Sequence, residues 1–457
     1  MSMSSKRRGL TGFGLVAAGM GVFALLSPIG GASASPPAGS APANLAPLIT
    51  PTHRPPTGYT VTLRFRDPTA TRVQIKGEWS FERPSELPQL ASTTSYTVQT
   101  PGLLPSQWQP GDVPIAYPNS TAANWPVVDM TKNGQGVWTY TTPLPSGVFT
   151  YGFFVDCTSP TQSGCTEISD PTNPPWNQSD GTVQGSVEPT SQVYVPSSAA
   201  FNTIDFSWQG PARAHGTLAD VTYSSPGHVT PAGQNHLAVY TPPGYDPQRA
   251  KPYPTLYLNH GGGGNEIDWS TQGDVRNILD NLIADGQIQP LVVVMPNANG
   301  YPGSTNNAAF RTDLISNVVP YVEAHYHVSN SPADRAFSGL SAGGLITNQL
   351  MLYNPDAFQY YAMMSAGFPP ANNTLTDAQA TALQGKSIFV GAGWQDPIFA
   401  VGFGSAHTGP QHEVGILTAA DLPVTPDFVN GGHEWYTWRI LLKDFLTRVA
   451  FWPYPAR

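Results

Sequence analysis

The chain has 457 residues with 21 basic and 30 acidic side chains, a net charge of −9, and 40% of its residues are hydrophobic and 11% aromatic. The acidic balance argues against a nucleic-acid or other polyanion partner. The apolar content excludes a disordered chain despite 45 glycines and 47 prolines, and the length favours two cores over one.

Lys6-Arg7-Arg8 precede an apolar run from Leu10 to Leu26, and Ala32-Ser33-Ala34 offers small residues at a cleavage site. This pattern predicts a signal peptide over 1–34 and a secreted protein. Gly12, Gly14, Gly19 and Gly21 interrupt the run, so no stable membrane insertion is expected after cleavage. Removing 1–34 takes away three basic side chains and leaves 18 against 30 acidic ones, a net charge of −12. The only cysteines, Cys157 and Cys165, are expected to pair as a disulfide in an exported chain. Neither has a histidine nearby, so no metal site and no cysteine catalysis are expected.

Residues 35–56 are rich in Pro, Ala and Ser, and read as a linker. From 57 to 196 the pattern is one of short alternating strands: Tyr59 to Phe65, Arg72 to Trp79, Gly136 to Thr141 and Gly147 to Asp156. Such strands, punctuated by Gly and Pro, predict a β-sandwich. Gly77-Glu78-Trp79, Met130 with Gly136-Val137-Trp138, Tyr151 to Asp156, and Asp170-Pro171 with Asn173 resemble the early-set immunoglobulin-like modules that include family 48 carbohydrate-binding modules. The insert from Pro84 to Asn124 departs from a minimal module. Trp79, Trp138 and Tyr151 could stack on sugar rings, but core packing is the stronger reading for large aromatics in a small sandwich.

From 200 to 457 strands alternate with helices, which predicts an α/β layer fold with a mostly parallel sheet. Tyr253 to Asn259 is a buried strand running into His260-Gly261-Gly262-Gly263-Gly264. Val275, Ile278, Leu279, Leu282 and Ile283 make one helical face, and Leu291 to Met295 is an apolar strand. Asp313 to Tyr326 is helical in pattern, with a kink expected at Pro320. Tyr360 to Ser365 and Ser387 to Val390 read as strands, and Trp438 to Val449 as a last helix.

Between Asp334-Arg335-Ala336-Phe337, a short strand, and a helix opening at Leu345 lies Gly339-Leu340-Ser341-Ala342-Gly343. A serine on a cramped strand-to-helix turn has its hydroxyl pushed clear of the sheet, and the flanking glycines are expected to let the backbone turn sharply. Ser341 is therefore a candidate nucleophile, which requires a base and an orienting acid downstream. Asp396 follows the Ser387 strand, with Asp421 and Asp427 as competitors, and an ordinary turn aspartate is an equal reading. His433, in a glycine-rich loop before the last helix, is the candidate base. The Ala342 amide and one from the glycine run, Gly262, are candidate oxyanion donors.

Tyr240-Thr241-Pro242-Pro243-Gly244-Tyr245, His260 to Gly264, Glu266 with Trp269, Gly339 to Gly344 and Gly432-His433-Glu434-Trp435 with Trp438 are together similar to the esterase branch of the α/β-hydrolases. That branch includes carbohydrate esterase family 1, enterochelin-type esterases and secreted mycolyltransferases. The resemblance implies Ser341, Asp396 and His433 as nucleophile, acid and base, Gly262 and Ala342 as oxyanion hole, and no cofactor. It also implies a serine ester hydrolase, with feruloyl or acetyl esters of polysaccharide as first substrate. Acyl transfer, siderophore ester hydrolysis, and a non-enzymatic binding protein keeping the fold are the alternatives.

Overall fold

A computed structural model describes residues 45–84, 102–114, 125, 127–158, 165–175, 190–202, 204–303, 307–368, 374–399 and 408–453. The expected signal peptide and residues 35–44 of the linker lie outside the described residues, as does most of the Pro84–Asn124 insert. Residues Asn44–Arg457 form one compact unit.

The N-terminal strands are β1 (Leu48–Pro51), β2 (Tyr59–Arg66), β3 (Val73–Gly77), β4 (Phe81–Glu82), β5 (Val113–Pro114), β6 (Val127–Asp129), β7 (Thr131–Lys132), β8 (Val137–Pro143), β9 (Gly147–Val155) and β10 (Ser191–Val195). They make two four-stranded antiparallel sheets, β1-β2-β8-β7 and β10-β9-β3-β6, with a small β4-β5 ladder beside them. Alternation drives the packing: Val61, Leu63 and Phe65 from one sheet share a core with Val73, Ile75 and Phe153 from the other, and the Phe65 and Phe153 rings meet at 4.9 Å. Trp79, Trp138 and Tyr151 are buried in or against this core. The three aromatics are thus committed to packing, and Tyr151 uses its hydroxyl internally, donating to Asp170 at 2.7 Å. The sequence reading of 35–56 as linker needs shortening, because Leu48–Pro51 pairs with β2 and contributes an edge strand. Cys157 and Cys165 are disulfide-bonded.

The second part runs β11 (Thr217–Val229), β12 (Ala232–Thr241), β13 (Thr255–Asn259), α1 (Val275–Ala284), β14 (Val292–Pro296), α2 (Ala308–Asp313), α3 (Val319–His325), β15 (Arg335–Leu340), α4 (Ala342–Tyr353), β16 (Tyr360–Met364), α5 (Asp377–Leu383), β17 (Ser387–Gly393), α6 (Pro410–Ala419), β18 (Val424–Val429) and α7 (Trp435–Arg448). The eight strands form one sheet in the order β11-β12-β14-β13-β15-β16-β17-β18, parallel from β14 onward and antiparallel at the β11-β12-β14 edge. Residues of α1 and α7 pack on one face and residues of α2, α3, α4 and α6 on the other. This explains why the central strands are apolar without alternation. The helical stretch expected from Asp313 begins earlier, at Ala308, and a π-helical turn over Leu314–Val318 joins α2 to α3 ahead of Pro320. Among the described residues no helix is long and apolar enough to cross a membrane.

Candidate active site

Four loops at the carboxyl ends of parallel strands converge: after β13 (His260–Gly264), β15 (Ser341), β17 (Trp394–Asp396) and β18 (Asn430–Glu434). Crevices at such strand ends are where open α/β sheets bind ligands. Ser341 sits between β15 and α4 with φ 52° and ψ −117°. A non-glycine residue there holds strain of order 1–3 kcal/mol, fixed here by the Ser341 N–H donating to the Met364 carbonyl at 2.8 Å.

The flanking glycines serve a different purpose from the one expected. Neither Gly339 nor Gly343 has a positive φ; the serine itself takes the positive φ. A Cβ on Gly343 would lie 2.4 Å from the His260 carbonyl oxygen, and one on Gly339 an equal distance from the Gly343 backbone. The glycines let α4 close onto β15 and the glycine-rich loop.

His433 Nε2 is 2.9 Å from Ser341 Oγ, and its Nδ1 is 3.0 and 3.2 Å from the two Asp396 carboxylate oxygens. An ionised carboxylate only accepts, so Nδ1–H donates to Asp396 and leaves Nε2 to accept the serine proton. Asp396 is fully buried, and its Oδ1 also accepts the Ile398 N–H at 3.0 Å. The His433 ring meets the edge of Trp438 at 5.1 Å. Trp438, Trp435 and Trp269 then form a chain of edge-to-face contacts at 5.2 and 5.1 Å, and Trp269 donates from its indole to the Asn259 carbonyl. His433 is therefore packed, through three tryptophans, against the strand that feeds the glycine-rich loop. The other two candidate acids lie away from His433: Asp427 is within β18 and pairs with Arg448 at 2.9 Å, and Asp421 is in the α6–β18 turn.

The Ala342 N–H opens α4 and has no helical acceptor of its own, while the helix N-terminus favours negative charge nearby. Ideal Cβ positions place Gly261 3.5 Å from the Ser341 Cβ and Gly262 3.8 Å from the Ala342 Cβ. The two candidate donors, Gly262 and Ala342, thus lie side by side, with Gly261 against the serine itself. His260, to which the sequence assigns no role, braces this loop. It is buried, and burial pushes its imidazole down to about 4 against the opposing bond to Gly261. The neutral ring donates from Nδ1 to the Gly261 carbonyl at 2.7 Å and accepts the Ala298 N–H at Nε2 at 3.0 Å. Among the described residues no group of three or more His, Cys, Asp or Glu is placed to hold a metal ion.

Residues 230–449 match the family model described as "Putative esterase". This part of the chain, just under half of it, is similar to that esterase family. The chain is 30% identical over 331 residues to an endo-1,4-beta-xylanase/feruloyl esterase from Xylanibacter ruminicola, covering 69% of this chain and 40% of that protein. It is 32% identical over 205 residues to endo-1,4-beta-xylanase Y from Acetivibrio thermocellus, covering 42% and 18% respectively. The chain thus spans well under half the length of either relative. The enterobactin esterase FES from Shigella flexneri, at 17% identity, aligns with a TM-score of 0.51 over 89% of this chain and 96% of its own. That likeness extends the shared fold beyond the esterase match.

Proposed function

We propose that the protein is a serine carboxylic-ester hydrolase acting on feruloyl or acetyl esters of polysaccharide. The observation that carries the reading is the unbroken hydrogen-bonded series from Ser341 through His433 to Asp396. In this mechanism Ser341 Oγ attacks the ester carbonyl while His433 Nε2 takes its proton, and the resulting oxyanion is held by the Gly262 and Ala342 amides. Such donors contribute about 3 kcal/mol each to the transition state. Collapse breaks the ester C–O bond, and His433 returns the proton to the departing alcohol, leaving an acyl-serine. Water, deprotonated by His433, then attacks the acyl carbonyl and releases the acid and free Ser341. Asp396 holds the Nδ1–H tautomer and stabilises the imidazolium throughout.

The substrate class is supported by the relative named as a xylanase and feruloyl esterase. We further propose that residues 57–196 are an immunoglobulin-like module, residues 200–457 the esterase domain, and that the protein is exported. The Cys157–Cys165 disulfide supports export.

The test is mass spectrometry of intact protein exposed to a serine-directed phosphonate, together with assays of ferulate and acetate release from feruloylated and acetylated xylan. A single adduct at Ser341 that blocks release supports the reading. Folded protein with no adduct and no release overturns it, and transfer of the acyl group to a sugar in place of water would reassign it as an acyltransferase.

A further inference from the structure

The sandwich reaches the helix that follows the base. Arg439 lies on α7, six residues after His433, with its side chain 1% exposed. One terminal nitrogen donates to the Gln272 carbonyl at 2.9 Å, and the other to the Val148 carbonyl of β9 at 3.0 Å. The Glu78 carboxylate, equally buried and just past β3, lies 3.7 Å from the second nitrogen. Glu78 is itself fixed, accepting the Thr150 N–H at 3.3 Å through its side chain while its own N–H donates to the Thr150 carbonyl at 3.0 Å.

A buried ion pair is a poor way to gain stability, because desolvating both charges offsets most of their attraction. Burial pushes the Glu78 carboxyl up even with Arg439 opposing it, and pushes Asp274, which also feels the Arg439 charge, well above the usual range. Apolar side chains would join the two parts more favourably. The guanidinium supplies registration in their place, since its fixed fork of donors must meet acceptors on β9, beyond β3 and before α1 at once.

That registration bears on the site because α7 carries the packing surface of the base. The first turns of α7 present Trp435 and Trp438, and Trp438 is the ring against which His433 rests. A shift of α7 would move His433 relative to Ser341, and a misplacement of about 1 Å costs on the order of a hundredfold in rate. We infer that Glu78 is a positioning residue for His433, acting through Arg439 and α7, so that the β-sandwich sets the geometry of the imidazole that serves Ser341. This inference rests on the ester-hydrolase reading above.

Glu78→Gln keeps the shape of the side chain and an oxygen for the Thr150 N–H while removing the charge. With the full chain and a short-chain aryl ester, kcat is expected to fall about tenfold with KM changed less than about twofold. Phosphonate labelling of Ser341 should slow in parallel. The double variant Glu78→Leu/Arg439→Leu removes both charges and should regain Tm relative to the single variant while kcat stays low. A Glu78→Gln protein with wild-type kcat overturns the inference, as does one whose loss is all in KM. Recovery of kcat together with Tm in the double variant overturns it too, because the pair would then serve stability alone. Failure of the ester-hydrolase reading shows separately, as wild-type protein with neither turnover nor Ser341 adduct.

Discussion

Gln395 and Gly431 are bonded twice: the Gly431 N–H donates to Gln395 Oε1 at 2.8 Å, and the Gln395 N–H donates to the Gly431 carbonyl at 3.1 Å. The loop carrying Asp396 and the loop carrying His433 are thereby tied one residue from the proposed acid and two from the proposed base. Gln395→Ala removes the side-chain half of this tie and leaves the buried Gly431 N–H without its acceptor. We expect kcat to fall about tenfold, or ~1.4 kcal/mol of transition-state stabilisation, with KM nearly constant. Steady-state kinetics on an aryl ester check this, and a loss confined to KM would count against it.

Asp396, Asp421 and Asp427 are all candidate acids on sequence pattern, and of these Asp396 is the one bonded to His433 while Asp427 pairs with Arg448. Asp396→Asn can no longer hold the His433 Nδ1–H as a carboxylate does, so kcat is expected to fall on the order of 10⁴-fold with the fold intact. Asp427→Asn disturbs a partly exposed pair with Arg448 and should leave kcat within about twofold, as exposed ion pairs contribute little. The two variants assayed side by side decide the matter; equal losses would unseat Asp396.

How much of this was legible in the sequence depends on how local the signal is. Ser341 and His433 stand out as candidates because a strand-to-helix turn and a glycine-rich loop each leave short motifs in Gly339–Gly343 and Asn430–Glu434, and the structure brings the two side chains within 2.9 Å. Strands β13 to β17 were readable because strands covered on both faces are continuously apolar. Three things had no local signature. Strand β18 carries Pro426 and Asp427 and is only half-buried along its length, so neither alternation nor an apolar run marks it. Helix α6 presents Glu413 to the interior, against any amphipathic pattern. The brace made by His260 joins β13 to the loop after β14, 38 residues on, and one buried histidine in a sequence cannot announce its partner. The motif glycines show a further limit: their residue type was evident, but the reason for it, contact between α4 and the His260 backbone, is tertiary.

That contact yields a paired prediction on two glycines. Gly343→Ala forces a Cβ within 2.4 Å of the His260 carbonyl, and backbone on both sides leaves little room to relax. Overpacking of this kind costs about 1–3 kcal/mol, and the displaced loop should also lower kcat. Gly415→Ala, within α6 where a Cβ meets nothing within 4 Å, should instead stabilise by about 0.5–1 kcal/mol through helix propensity. Chemical denaturation of both variants tests the pair; a Gly343→Ala protein as stable and active as wild type would contradict the close-approach account.

The buried titratable groups set a pH window for stability. Burial pushes Glu413 up to about 8, and Glu266 and Asp268 up to about 7. For each carboxyl the folded value lies above the unfolded one, so its contribution is fully present below about pH 4.5 and is lost as pH rises through 7 to 8. His260 works in the opposite direction. Its folded value, pushed down to about 4, lies below the unfolded one, so its contribution is present above about pH 6.5 and lost as pH falls toward 4. Stability should therefore be greatest between these limits and fall on the alkaline side as three buried carboxyls ionise. Glu413 lies beside Asn348 on α4, and among the described residues no cation is paired with it, so Glu413→Gln should flatten the alkaline limb while changing Tm least near pH 5. Thermal unfolding of both proteins from pH 5 to 9 measures this. Parallel curves, displaced equally at pH 6 and pH 9, would show that Glu413 does not titrate in this range and that the alkaline loss has another source.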